Sequence, residues 1–164
     1  VIARARQAGA EEFVVVNGHR GEELRAALDA IAARTGARVT HVRNDAWQRA
    51  NGVSVLAARP LLDAPFLLSM CDHLVDPAIL RDLMAEPCVP GTVTLAVDHD
   101  IDSPNNDPED CTRVRCEAGL IERIGKLIPD HNAFDTGVFL CTTAMFEALE
   151  QSQAAGRDLS LIHI

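Results

Sequence analysis

Asp72-His73 follows the most apolar run of the sequence, Pro65-Phe66-Leu67-Leu68-Ser69-Met70. A carboxylate just past the carboxyl end of a buried strand is well placed to hold a divalent cation. Mg2+ takes only one or two protein carboxylates and completes its octahedron with water and substrate phosphate. A loop aspartate that merely caps the next turn fits the same pattern, and His73 reads either as a ligand-orienting group or as an exposed side chain. Lys126 is a second signal, the only lysine beside fourteen arginines, ending Leu120-Ile121-Glu122-Arg123-Ile124-Gly125-Lys126. A compact cation where the planar arginine fork would not fit suits a phosphate; a chance surface lysine is the alternative.

Three further segments carry polar groups where chemistry could use them. Asp135-Thr136-Gly137 interrupts an otherwise apolar strand. A carboxylate there costs stability unless it is paired or faces a cleft, and the glycine permits close approach of a ligand. Hydrogen bonding to polyol hydroxyls is one role, a strand-end bulge the other. Asn51-Gly52-Val53-Ser54 opens a helix, where backbone N–H groups and the Asn and Ser side chains suit an anion or a base edge, or simply cap the helix. Trp47, in the preceding loop, either packs over a base or covers the core edge. Asp98-His99-Asp100-Ile101-Asp102 contains two DxD patterns of the kind glycosyltransferases use for metal. Crowded by Asn and Pro, it reads more readily as a solvated loop.

These groups need a scaffold, and the apolar patterning supplies one. Strands are expected at 13–16, 38–42, 65–70, 93–97 and 134–141, and helices at 22–34, 53–59, 77–85 and 143–153. Residues 1–8 read as the middle of a helix. Asp76-Pro77 marks an N-cap with proline in the first turn. Residues 111–116 and 120–125 flank Glu117-Ala118-Gly119, a hairpin signal. Alternating strands and helices imply an α/β fold, a Rossmann-like three-layer sandwich whose sheet is mainly parallel but mixed by the hairpin.

Composition narrows the partners. The 164 residues carry a net charge of −9, are 48% hydrophobic and only 4% aromatic. That suits one soluble domain with a full core and disfavours nucleic acid, which a negative field repels and which stacks on aromatics. A small phosphorylated ligand remains compatible, because a metal and a few local cations reverse the field inside a cleft. Five cysteines without a CxxC pair fit a reducing cytoplasm. No apolar run is long enough to span a bilayer. Both ends read as cut, and the last few residues, to Ile164, as not necessarily native.

Together, Asn51-Gly52-Val53-Ser54, the segment from Phe66 to His73, Ile124-Gly125-Lys126 and Phe134-Asp135-Thr136-Gly137-Val138-Phe139 resemble the nucleotidyltransferases that activate sugar and alcohol phosphates. The likeness is greatest to cytidylyltransferases acting on inositol 1-phosphate, with phosphocholine cytidylyltransferases further off. The resemblance spans 11–159 and implies that an alcohol phosphate attacks the α-phosphate of a nucleoside triphosphate, CTP favoured, and releases pyrophosphate. It implies catalytic roles for Asp72, as Mg2+ ligand, and for Lys126, as grip on the acceptor phosphate. Asn51, Gly52 and Ser54 would lie near the base, and Asp135, Thr136 and Gly137 near the acceptor. Cys71 stands where relatives carry glycine. The family's glycine-rich triphosphate loop and its second metal carboxylate have no counterpart here. The 164 residues are therefore expected to be one incomplete domain, inactive alone but active within a longer parent, to which a membrane domain could be fused. Competing expectations are a nucleotide-sugar glycosyltransferase using Asp98 and Asp100, or a non-catalytic nucleotide-binding module.

Overall fold

The longest strand carries apolar side chains on both of its faces, and the rest of the chain is arranged around that fact. The computed structural model describes residues 1–104, 106–107, 109–157 and 159–160. The expectation about the last residues falls largely on 161–164, outside the described residues. In chain order the elements are α1 (Ile2–Ala8), β1 (Glu12–Asn17), α2 (Gly21–Thr35), β2 (Arg38–Arg43), α3 (Asn51–Ala58), β3 (Phe66–Ser69), α4 (Pro77–Ala85), β4 (Val93–Asp98), β5 (Arg113–Glu117), β6 (Leu120–Gly125), β7 (Ala133–Cys141) and α5 (Ala144–Ala154).

Successive side chains of a strand point to opposite faces, so a strand buried on both sides reads as a continuous apolar run. Along β7, Phe139 and Cys141 pack with Val55 of α3 and with Met145, Phe146 and Leu149 of α5. Val138 and Leu140 pack on the other face with Ala8 of α1 and with Leu80 and Leu83 of α4. Helices therefore cover both faces of β7, which gives the three layers.

The sheet is mixed, as expected, but its pairing differs from a mainly parallel sheet. Only β1 and β2 pair in parallel, Glu12 opposite Arg38 through Asn17 opposite Arg43. The other pairs, β3–β7, β4–β7, β5–β6 and β5–β7, are antiparallel. The reason lies in β7. Strands β3 and β4 are joined through α4, and both run opposite to β7, hence parallel to each other as a strand–helix–strand unit requires. Strand β7 is slotted between them, so two co-directional strands meet only an antiparallel neighbour. Among the described strands, β1–β2 forms one hydrogen-bonded set and the remaining five form another.

Local signals are met closely. The Asp76 carboxylate accepts the Ala78 N–H at 2.7 Å and caps α4. Ala118 and Gly119 both have positive φ, 50° and 78°, the two-residue turn that a right-handed hairpin twist favours. Helix α3 begins at Asn51, two residues earlier than expected, because the Ala50 carbonyl accepts the Val53 N–H at 3.0 Å. Trp47 lies against the turn after β1. A Cβ on Gly18 would stand 2.3 Å from the Trp47 Cβ, so the exposed tryptophan packs, beside His19, at a position only glycine allows.

Candidate active site

Two strands border β7 on the edge away from β4, and they part company at Asp135-Thr136-Gly137. Strand β3 pairs with Val138 to Cys141, whereas β5 pairs with Ala133 and Phe134. Between these stretches the backbone is shared out. The Asp135 N–H donates to Thr112 ahead of β5 at 2.9 Å, and the Gly137 carbonyl accepts from Met70 after β3 at 3.1 Å. The two strands part beside residues 135–137, at the carboxyl end of β3, where Cys71-Asp72-His73 emerges.

His73 packs against this fork. Its Nδ1 lies 2.8 Å from the Thr136 carbonyl oxygen. Gly137 has φ 72°, and a Cβ there would sit 1.9 Å from His73 Nδ1. The space that glycine frees, expected to admit a ligand, is filled by the imidazole of His73. The Thr136 hydroxyl donates to the Ala96 carbonyl at 2.7 Å and ties β7 to β4 where their register shifts. Its one donor is thereby used inside the sheet.

Asp135 is half-buried, and one carboxylate oxygen accepts the Gly137 N–H at 2.7 Å. Burial raises its carboxyl above the ordinary aspartate range, while the Gly137 N–H and the charges of His73 and Lys126 pull the other way. Lys126, just past β6, donates from Nζ to the Asp110 carbonyl ahead of β5, which holds the exposed side chain near the fork. Asp72 is exposed in a turn, and its carboxylate has no hydrogen-bond partner among the described residues. Among the described residues no group of three or more His, Cys, Asp and Glu side chains is arranged to hold a metal. A single exposed carboxylate still fits a hard cation that keeps most of its water and takes phosphate oxygens.

The expected base-binding residues form a separate group on α3. The Gly52 N–H donates to the Leu159 carbonyl at 2.9 Å, and a Cβ there would stand 2.3 Å from that oxygen. Ser54 Oγ accepts from the buried Asn44 at 3.0 Å. Two of the three residues thus hold α3 in place, and Asn51 stands exposed at its start. The DxD pair is also engaged locally: Asp98 Oδ1 accepts the Asp100 N–H at 2.9 Å in a tight turn, and His99 Nδ1 approaches the Asn132 carbonyl at 2.9 Å. Part of that acidic loop, Asn105 and Pro108, lies outside the described residues.

Sequence reasoning missed Asn132. Its side chain donates to the Cys116 carbonyl and accepts the Cys116 N–H, both at 2.8 Å, acting as one rung of a strand beside the bulge in β5. No periodicity marks it, and its place just before β7 gave no signal.

No family model matches the sequence. The chain is 37% identical over 146 residues to the bifunctional IPC transferase and DIPP synthase of Rubrobacter xylanophilus, covering 89% of this chain and 31% of that one. It is 28% identical over 140 residues to the protein of the same name from Archaeoglobus fulgidus, covering 85% and 26%. The inositol-1-phosphate CTP transferase structure from T. maritima superposes with a TM-score of 0.83 at 29% identity, over 99% of this chain and 63% of that one. With the forked sheet and its aspartates and lysine, these findings put the chain in the sugar-phosphate nucleotidyltransferase family. Within that family, the particular proteins it is similar to are those named for IPC transfer and for CTP-dependent inositol 1-phosphate chemistry. The chain spans about a third or less of the length of the curated relatives it matches. Nucleotidyltransferases of this kind generally use a divalent metal, with a nucleoside triphosphate and a phosphorylated sugar as substrates. Among the described residues no helix is long and apolar enough to cross a membrane.

Proposed function

We propose that residues 1–164 form most of a single nucleotidyltransferase domain that moves CMP from CTP to inositol 1-phosphate and releases pyrophosphate. The observation that supports this best is the grouping around the β3–β5 fork of Asp72, His73, Asp135 and Lys126, drawn from three segments. A cation, a carboxylate open to metal and a carboxylate facing a cleft are what two anionic reactants and a polyol call for.

In this reading Asp72 holds Mg2+, which when bound neutralises charge on the triphosphate. Lys126 holds the acceptor phosphate, and its tie to the Asp110 carbonyl keeps the ammonium in place for that task. Asp135 accepts hydrogen bonds from acceptor hydroxyls. Asn51 lies near the base, with Gly52 and Ser54 fixing α3 beneath it. No covalent intermediate is needed; holding the two anions in line supplies the acceleration. The five free thiols favour a reducing compartment such as the cytoplasm.

The test is pyrophosphate release by the full-length polypeptide given CTP, Mg2+ and inositol 1-phosphate. Turnover should require all three. Turnover unchanged when inositol 1-phosphate is omitted or replaced by a nucleotide sugar would discard the reading.

A further inference from the structure

We propose that His73 is a specificity-determining residue which, paired with Asp135, selects an acceptor bearing adjacent hydroxyls over a hydroxyl-free alcohol phosphate such as phosphocholine. This rests on the nucleotidyltransferase reading above and narrows its acceptor.

The starting point is a tautomer. A carbonyl oxygen only accepts, so the 2.8 Å contact with Thr136 puts the proton of the neutral ring on Nδ1. Nε2 is then an acceptor, and it has no hydrogen-bond partner among the described residues. The ring cannot easily turn away to hide it. Gly137, held at φ 72°, leaves space that the imidazole fills so closely that a methyl group there would collide with Nδ1 and Cε1. Backbone, glycine and carbonyl therefore fix the ring of an exposed residue, where free rotation would otherwise be expected.

The second acceptor is Asp135. Its carboxylate is half-buried, and its Oδ1 is oriented by the N–H of Gly137, the residue against which the His73 ring packs. Two acceptors thus border residues 135–137, and the Lys126 ammonium is held at the Asp110 carbonyl ahead of β5, beside the same fork. Acceptors call for donors. A ring with neighbouring hydroxyls supplies two O–H groups and places its phosphate toward the lysine. Phosphocholine supplies no O–H donor, so wherever it displaces water from these acceptors it leaves them unpaired, a cost that an acceptor with neighbouring hydroxyls avoids.

The experiment uses the full-length polypeptide with CTP and Mg2+, comparing wild type, His73→Asn and His73→Gln on inositol 1-phosphate and phosphocholine. Asn carries an amide nitrogen near the Nδ1 position and can still donate to Thr136, but has nothing at Nε2. Gln reaches the Nε2 position with an oxygen acceptor. For His73→Asn, KM for inositol 1-phosphate should rise by about tenfold to a hundredfold, with KM for CTP and kcat little changed; His73→Gln should recover part of the loss. The wild type should strongly prefer inositol 1-phosphate, and the variant should lose most of that preference. Unchanged KM for inositol 1-phosphate in His73→Asn overturns the role of His73 while leaving the function intact, as does an equal rise in KM for CTP. A wild type that turns over neither acceptor overturns both. As a check free of substitution, the Nε2 nitrogen resonance of wild-type His73 should move when inositol 1-phosphate is added and stay put with phosphocholine; a still resonance sinks the proposal.

Discussion

Gly137 meets two demands at once, a left-handed backbone at φ 72° and room for an imidazole. An L side chain in that conformation costs about 1–2 kcal/mol before any clash, and the clash here is with a ring anchored to Thr136. Gly137→Ala should therefore lower the melting temperature by several degrees and cut turnover as well, whereas Asp72→Asn, at an exposed turn, should leave the melt within about 0.5 kcal/mol of wild type yet remove most turnover. A Gly137→Ala protein that melts like wild type would contradict the packing; an active Asp72→Asn protein would contradict the metal role. Lys126→Arg keeps the charge but replaces a compact ammonium with a planar fork, and pyrophosphate assays should show a loss of about tenfold or more if the point charge is what matters. Asp135 adds a pH dependence. Burial raises its folded-state value, so the folded chain binds that proton more tightly than the unfolded one. The stability this contributes is complete below the unfolded value of about 3.9 and is lost as pH rises through the folded value. Asp135→Asn removes the term. Its melting temperature should fall less steeply than that of wild type from about pH 4 upward, and parallel melting profiles would show the carboxyl to be unperturbed.

At the level of elements, what could be read in advance was what is encoded locally. The β5–β6 hairpin was legible because Glu117-Ala118-Gly119 separates two strand-length stretches, 111–116 and 120–125, and α4 because Asp76-Pro77 is both cap and first turn. What escaped was long-range. Nothing in the pattern of 65–70 or 93–97 says that a strand forty residues further on will be inserted between them, and the His73–Thr136 contact spans 63 positions. The candidate site residues were picked out by type and order; that Thr136 and Ser54 spend their hydroxyls on Ala96 and Asn44 required the fold. One local conflict remains in the hairpin. Ala118 is a non-glycine residue at φ 50°, a conformation that Asn and Gly adopt at lower cost. Ala118→Asn should raise stability by about 0.5–1 kcal/mol, or a melting shift of about 1–4 °C for a chain of this size. A lower melting temperature would mean that the turn is held by contacts other than its backbone preference.

For the whole molecule, the two hydrogen-bonded sets of strands are unequal. Around β7 two clusters meet, with Phe146, Leu149, Val138 and Cys141 fully buried. Around β1 and β2 the core is small, Ile2, Leu28 and Ala37, and the strand residues are only half-buried. Between the two stands α3, packed on α5 by Val55 and pinned to the Leu159 carbonyl through Gly52. Leu159 itself is 3% exposed and belongs to the β7 cluster. The last described stretch of chain therefore locks the helix that joins the two parts. Local stability follows buried apolar contact, so the parts should open at different free energies. In native-state hydrogen exchange on the 164-residue polypeptide, β7 amides should be the slowest and β1–β2 amides clearly faster. Leu159→Ala removes a buried side chain at a cost of about 2–5 kcal/mol, and because it loosens α3 its effect should spread unevenly, speeding exchange in α3, β1 and β2 more than in β4 and β7. In the full-length polypeptide the same substitution should raise KM for the nucleotide, whose base is proposed to lie at α3, more than KM for the acceptor held at the fork. Uniform acceleration of exchange across both sets would show that the molecule opens as one unit and that α3 is not its joint.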